Sequence, residues 1–159
     1  MNAASAIFGL VFAAATGTAH AACPGLDSPE RPTFFRPVSG DVVSGFGPRV
    51  HPVLQISRMH TGVDYAAAVG DPVRAAAVGE VSFAAEEAGY GKRVAIRHAA
   101  GFETAYAQLS EIAVTKGDCV EAGTVVGRAG ATDSGPHLHF EVLVNGRFLD
   151  PVRFRGAPK

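Results

Sequence analysis

Four side chains in this 159-residue chain combine types and spacings that could hold a metal ion and put it to use: His60, Asp64, His137 and His139. Two imidazoles and one carboxylate leave a tetrahedral ion with one open position. That is the make-up of a catalytic zinc site rather than a closed structural one. Water held at an open position can ionise near neutral pH and attack a carbonyl carbon. Neither pair is specific alone, since His-x-x-x-Asp is a weak pattern and His-x-His on a strand also occurs as a surface pair. The two cysteines, Cys23 and Cys119, have no second cysteine at metal-ligand spacing, which argues against a thiolate site.

The elements that must position these residues can be read from the pattern around them. Leu138, Phe140, Val142 and Val144 alternate with His137, His139, Glu141 and Leu143, so a strand would carry both histidines on one face with an apolar face behind them. The segment His60-Thr61-Gly62-Val63-Asp64 does not suit a helix, and a straight strand would hold the two Cα atoms ~13 Å apart. Zinc bonds of ~2.0–2.2 Å then demand a bend, and Gly62 is the residue that tolerates one. Further β-like runs are Arg93 to His98 and Thr104 to Gln108, and Asn145-Gly146 after Val144 predicts a tight hairpin. The pattern Gly-Asp-x-Val-x-Ala occurs twice, at Gly70 to Ala75 and at Gly117 to Ala122, each followed by Val-Gly. Two copies suggest a duplicated β scaffold in which Asp71 and Asp118 are turn residues that bond nearby backbone N–H groups. With 19 Gly and 10 Pro punctuating short apolar stretches, the fold class expected is all-β.

An apolar content of 47% with 18% charged residues suits one globular domain. The net charge of −1 offers no surplus for phosphate backbones or anionic lipid, so nucleic acid is not an expected partner. The first 22 residues lack Asp, Glu, Lys and Arg, and the apolar run Ala6 to Ala15 precedes Ala19-His20-Ala21, a small-x-small cleavage pattern. Residues 1–21 therefore read as a secretory signal peptide, although no Lys or Arg precedes the apolar run. That run is too short to span a bilayer, so stable membrane insertion is not expected. No leucine precedes Cys23 at the cut, which makes lipidation the minor reading. Export to the periplasm or the cell envelope would leave both cysteines in an oxidising compartment, where they could pair. Residues 22–37, with four prolines, read as an extended lead-in over a domain of 38–152, followed by a short tail of 153–159.

Four blocks occur in one order: Ser44-Gly45-Phe46-Gly47-Pro48-Arg49-Val50-His51-Pro52, His60-Thr61-Gly62-Val63-Asp64, Gly89-Tyr90-Gly91, and Ser134-Gly135-Pro136-His137-Leu138-His139-Phe140-Glu141. In these blocks, from about Val38 to Val152, the chain resembles the M23 metallopeptidases, the family of lysostaphin and the LytM-type cell-wall hydrolases. The resemblance implies a mostly antiparallel sheet with a groove across it. It also implies one zinc ion on His60, Asp64 and His139, and His137 as a catalytic histidine that is not a ligand. The implied activity is a zinc metalloendopeptidase cutting the peptide cross-links of peptidoglycan.

The chain departs from the family at Gln108, which stands where a segment usually reading Tyr-x-His-Leu carries a second catalytic histidine. Glutamine donates hydrogen bonds but carries no proton or charge near neutral pH. The expectation is therefore a slower enzyme, and the alternative is a LytM-like wall-binding or regulatory protein that hydrolyses little. Elsewhere, His98 reads as a partly exposed strand residue and Tyr106 as packing. His51 and Arg49 could line the groove or form a solvated loop pair, and Glu141 could accept a hydrogen bond from a ligand imidazole.

Overall fold

In a computed structural model of the chain, residues 23–50 and 56–154 are described. The signal-peptide segment, His51 and residues 155–159 of the tail lie outside them. Twelve strands follow in order: β1 (Val42–Ser44), β2 (Gly47–Val50), β3 (Ser57–His60), β4 (Val63–Ala66), β5 (Pro72–Arg74), β6 (Gly79–Glu87), β7 (Gly91–Arg97), β8 (Phe102–Ile112), β9 (Cys119–Val120), β10 (Val125–Thr132), β11 (Gly135–Val144) and β12 (Arg147–Leu149). Two short 3-10 turns, Ala99–Gly101 and Pro151–Phe154, complete the described elements, none of which is an α-helix.

Ten strands form one antiparallel sheet with the path β1-β4-β11-β10-β8-β7-β6-β9; β12 pairs with β11, and β5 with β10. The strands β2 and β3 form a separate two-stranded ribbon. Along one edge β11 faces β4 throughout its middle. Along the other it pairs first with β10, at Gly130↔His137, and then with β8, from His139↔Ala107 onward. The apolar residues Leu138, Phe140 and Val142 of β11 are buried with Val63, Tyr65, Val94, Ile96 and Tyr106 in one core. That burial fixes the register, because a one-residue slip would turn both histidines of β11 into the core.

The two Gly-Asp-x-Val-x-Ala copies adopt one geometry. Ala68 N–H donates to Asp71 Oδ2 at 2.8 Å, and Thr115 N–H donates to Asp118 Oδ2 at 2.8 Å. Gly70 N–H donates to Ala129 O while Ala129 N–H donates to Asp71 O, and Gly117, Asp118 and Val81 repeat that exchange. Both aspartates are turn residues, as expected, and the scaffold is duplicated in its hydrogen bonds as well as its sequence. Asn145 and Gly146, with φ of 47° and 76°, close the β11–β12 hairpin in the left-handed conformation that Asn-Gly favours.

Ahead of β1, Phe34 is buried in the core and Phe35 N–H donates to Ala76 O at 2.8 Å. Cys23 and Cys119 form a disulfide with Cα atoms 5.4 Å apart, tying the first described residue to β9.

His98 departs from its expectation. It is only 4% exposed and follows β7 rather than ending it. Its Nδ1 lies 2.7 Å from Val78 O and its Nε2 2.8 Å from Thr104 Oγ1. Strand period alone could not show this, because both partners come from other segments. Tyr106 packs in the core as expected, and its hydroxyl also accepts from Ala76 N–H at 2.7 Å.

Candidate active site

The bend required between His60 and Asp64 is present. β3 ends at His60, β4 begins at Val63, and His60 Nε2 lies 3.1 Å from Asp64 Oδ1. Gly62 permits it through close approach rather than through an unusual backbone angle, since a Cβ there would collide with the carbonyl oxygen of Phe140. Asp64 on β4 stands directly opposite His139 on β11, so the sheet register itself sets carboxylate against imidazole. His139 Nδ1 lies 2.9 Å from Asp64 Oδ1 and 3.1 Å from His60 Nε2.

These three atoms form a nearly equilateral triangle that could hold a metal ion. Tetrahedral bonds of ~2.1 Å put neighbouring donors ~3.4 Å apart, so an ion needs only small outward shifts. Each ring also has its other nitrogen anchored. His60 Nδ1 lies 2.7 Å from Gly45 O, and His139 Nε2 lies 3.1 Å from Glu141 Oε1. With a proton on each anchored nitrogen, the facing nitrogens present lone pairs to the triangle.

Glu141 is fully buried on the face of β11 that carries His139. Its Oε1 accepts from Thr61 Oγ1 at 2.5 Å and from the Tyr90 hydroxyl at 3.1 Å as well as facing His139. Burial raises the Asp64 carboxyl, but hydrogen bonds from His139, His60 and Arg49 outweigh it and hold the group well below the usual carboxylate range. Glu141 is likewise raised by burial and lowered further by His139 and Thr61. Burial lowers His139, yet its bonds to Asp64 and Glu141 push it up to about 9. A cluster that stabilises a proton this strongly is built for positive charge, and a divalent cation competes for the same atoms.

His137 and Gln108 stand differently. His137 lies two residues from His139 on the same face, between Ala66 and Gly130, and its Nδ1 is 3.0 Å from Gly135 O. Gln108 occupies a bulge: Tyr106 and Leu109 of β8 oppose Val94 and Lys92 of β7, one residue more on β8 than on β7. Its φ of 61° is left-handed, an uncommon conformation for a residue with a side chain, and its Nε2 donates to Gly89 O at 3.3 Å. Small neighbours, Ala66, Ala107 and Gly130, leave the face around both histidines low. The structure thus brings His60, Asp64 and His139 into mutual contact and leaves His137 and Gln108 bonded only to nearby backbone among the described residues.

Three contributors escaped the sequence pattern. Arg49, expected in a loop, lies on β2 and donates from Nη2 to Asp64 Oδ2 at 3.0 Å. Tyr90 and Thr61 converge on Glu141 from separate segments. Membership of the four blocks is the one signal that could have flagged them.

The sequence model described as Peptidase family M23 matches residues 58–151. The chain is 49% identical over 113 residues to the DD-carboxypeptidase/endopeptidase Mpg of Neisseria meningitidis serogroup B, a match covering 70% of this chain and 26% of that protein. Among solved structures, it resembles a zinc containing peptidase from Vibrio cholerae, with TM-score 0.71 and 38% identity over 76% of this chain and 39% of that one. It also resembles the catalytic domain of lysostaphin from Staphylococcus simulans, with TM-score 0.65 and 30% identity over 72% and 91%. The chain spans about a quarter of the length of the curated relatives it matches. An antiparallel sheet carrying the His60, Asp64 and His139 triangle, matched by the family's own sequence model over 58–151, places this chain in peptidase family M23.

Proposed function

We propose that the chain is an exported zinc metalloendopeptidase that hydrolyses peptide cross-links of bacterial peptidoglycan, with one Zn²⁺ held by His60 Nε2, Asp64 Oδ1 and His139 Nδ1. The observation that carries this reading is the donor triangle, with its rings anchored on Gly45 and Glu141. The printed names of relatives, a DD-carboxypeptidase/endopeptidase and a peptidoglycan DD-endopeptidase, support the substrate class, and the zinc containing neighbour supports the metal. Residues 1–21 would be removed on export, leaving 38–152 as the working domain.

Zinc, when bound, supplies Lewis acidity and a water that ionises near neutral pH. The protein's own residues do the rest. Asp64 and the two ligand imidazoles fix where the carbonyl is polarised, and Glu141 keeps the His139 ring in register. His137, low on the same face, takes the proton of the attacking water and returns one to the leaving amine. The Gln108 amide, released from Gly89 O, donates to the carbonyl oxygen as negative charge develops there. Because Gln108 cannot carry a proton, a second reading is a wall-binding protein that turns over little substrate.

Purified peptidoglycan digested with the mature chain, with product peptides identified, tests the reading. Wild type is expected to carry about one zinc and release cross-link products. His139→Ala is expected to lose both zinc and activity, and His137→Ala to keep zinc while slowing ~10²–10⁴-fold. Full zinc occupancy in His139→Ala would sink the ligand set, and zinc-loaded wild type that releases no products would favour the second reading.

A further inference from the structure

The two oxygens of Asp64 face different partners. Oδ1 belongs to the donor triangle, whereas Oδ2 accepts from Arg49 Nη2 at 3.0 Å. A carboxylate can bind a metal through one oxygen or both. A guanidinium N–H on the second oxygen decides between these modes, because an oxygen engaged by a cation is a poor ligand for another.

The position of Arg49 argues that this contact is built rather than incidental. Arg49 lies directly opposite Arg58 on the β2–β3 ribbon, and like charges paired across strands are destabilising. The ribbon pairs with no other strand among the described residues, so little else holds the two cations together. Asp64, 14% exposed, offsets one of them, while Arg58 is exposed. The same guanidinium nitrogen abuts His60 Nδ1. With that nitrogen donating to Gly45 O, Arg49 has Asp64 Oδ2 as its productive acceptor at the site.

We infer that Arg49 is a positioning residue that confines Asp64 to one-oxygen ligation and so keeps a coordination position free for water and the scissile carbonyl. This rests on the metal site proposed above. Arg49 touches neither substrate nor ion in this role. It sets the ligand count through Asp64, and loss of its Nη2 donor would let Oδ2 turn inward and fill the position that the reaction needs.

The test uses the mature chain loaded with Co²⁺ in place of zinc, whose visible absorption is intense for four-coordinate and several-fold weaker for five- or six-coordinate ions, with X-ray absorption counting the bound oxygens. Wild type is expected to give the intense spectrum. Arg49→Ala is expected to retain one metal ion, lose most of the visible intensity, gain about one oxygen ligand and digest wall more slowly. Arg49→Lys, which keeps a donor and the charge, is expected to recover part of the intensity. Arg58→Ala removes the same charge from the same ribbon and is expected to leave the spectrum unchanged. The inference is overturned if Arg49→Ala keeps the wild-type spectrum, if Arg58→Ala changes it as much, or if Arg49→Ala loses the metal altogether. A wild-type chain that takes up no cobalt would fail the metal site itself, a different outcome from any of these.

Discussion

His139 on β11 and His98 just past β7 are both largely buried imidazoles, yet they are driven in opposite directions. Around His139 two carboxylates overcome the effect of burial and push it up to about 9. Around His98 burial dominates, and the bond to Val78 O recovers only part of the loss, so it falls to about 4. Its other partner, Thr104 Oγ1, is neutral. Burial alone therefore does not distinguish a site from a core. The charge of the partners does: one region collects positive charge and the other excludes it, and only the first can compete for a metal ion.

The largest effect expected from this contrast is on stability in acid. His98 is neutral when folded down to about pH 4, whereas unfolded it takes a proton near 6.5. Between those values the unfolded chain binds more protons, so stability is complete above 6.5 and is lost as pH falls towards 4. The loss integrates to about 3 kcal/mol. Denaturant melts of the metal-free chain at pH 7 and pH 4 should show wild type losing about that much more than His98→Gln, whose position 98 does not titrate. Equal pH slopes for the two proteins would mean that His98 is charged or hydrated in the fold, and the contrast with His139 would collapse.

Next in size is the carboxylate that makes the His139 region what it is. Glu141→Gln keeps shape and a hydrogen-bonding capacity but removes the charge opposite Nε2. Partners of this kind typically contribute 10–100-fold to metal affinity. Competition against a chelator should show zinc bound ~10–100-fold more weakly in Glu141→Gln and unchanged in His98→Gln. If both variants bind zinc as wild type does, the partners of the imidazole do not set its affinity for cations.

What the sequence made legible follows the same division. The strand of Leu138 to Val144, the Asn145-Gly146 hairpin and the paired turns at Asp71 and Asp118 depend on local period and local turn chemistry, and they fold as that chemistry dictates. The bend at Gly62 is readable because a spacing of four must bring two candidate ligands together, although the need for glycine comes from the approach of Phe140, a distant residue. Strand period alone marks His98 as partly exposed, because its partners Val78 and Thr104 reach it from other segments. Arg49 stays ambiguous in the sequence because nothing in a linear pattern shows β2 folding back to Asp64. Positions whose environment is made by one strand are visible in one strand; those made by three need the register.

Gln108 gives an effect of similar size, on rate rather than affinity, and the sharpest test of where the site ends. Its backbone is held left-handed in the β8 bulge, and its amide rests on Gly89 O at a long 3.3 Å, a bond weak enough to be exchanged for one to a substrate oxygen. A hydrogen bond to developing negative charge nets ~1.5–3 kcal/mol, or roughly 10–100-fold in rate when it is made only in the transition state. The amide can supply that much but cannot carry a proton, which leaves proton transfer to His137. Gln108→Ala is therefore expected to digest peptidoglycan roughly 10–100-fold more slowly with zinc content unchanged, and Gln108→His to match or exceed wild type. Gln, Ala and His all carry a Cβ, so the left-handed backbone at 108 costs each of them about alike, and both variants should keep nearly the wild-type melting profile. Equal rates for wild type and Gln108→Ala would put position 108 outside the transition state and leave His137 as the sole group beside the metal triangle that acts on substrate.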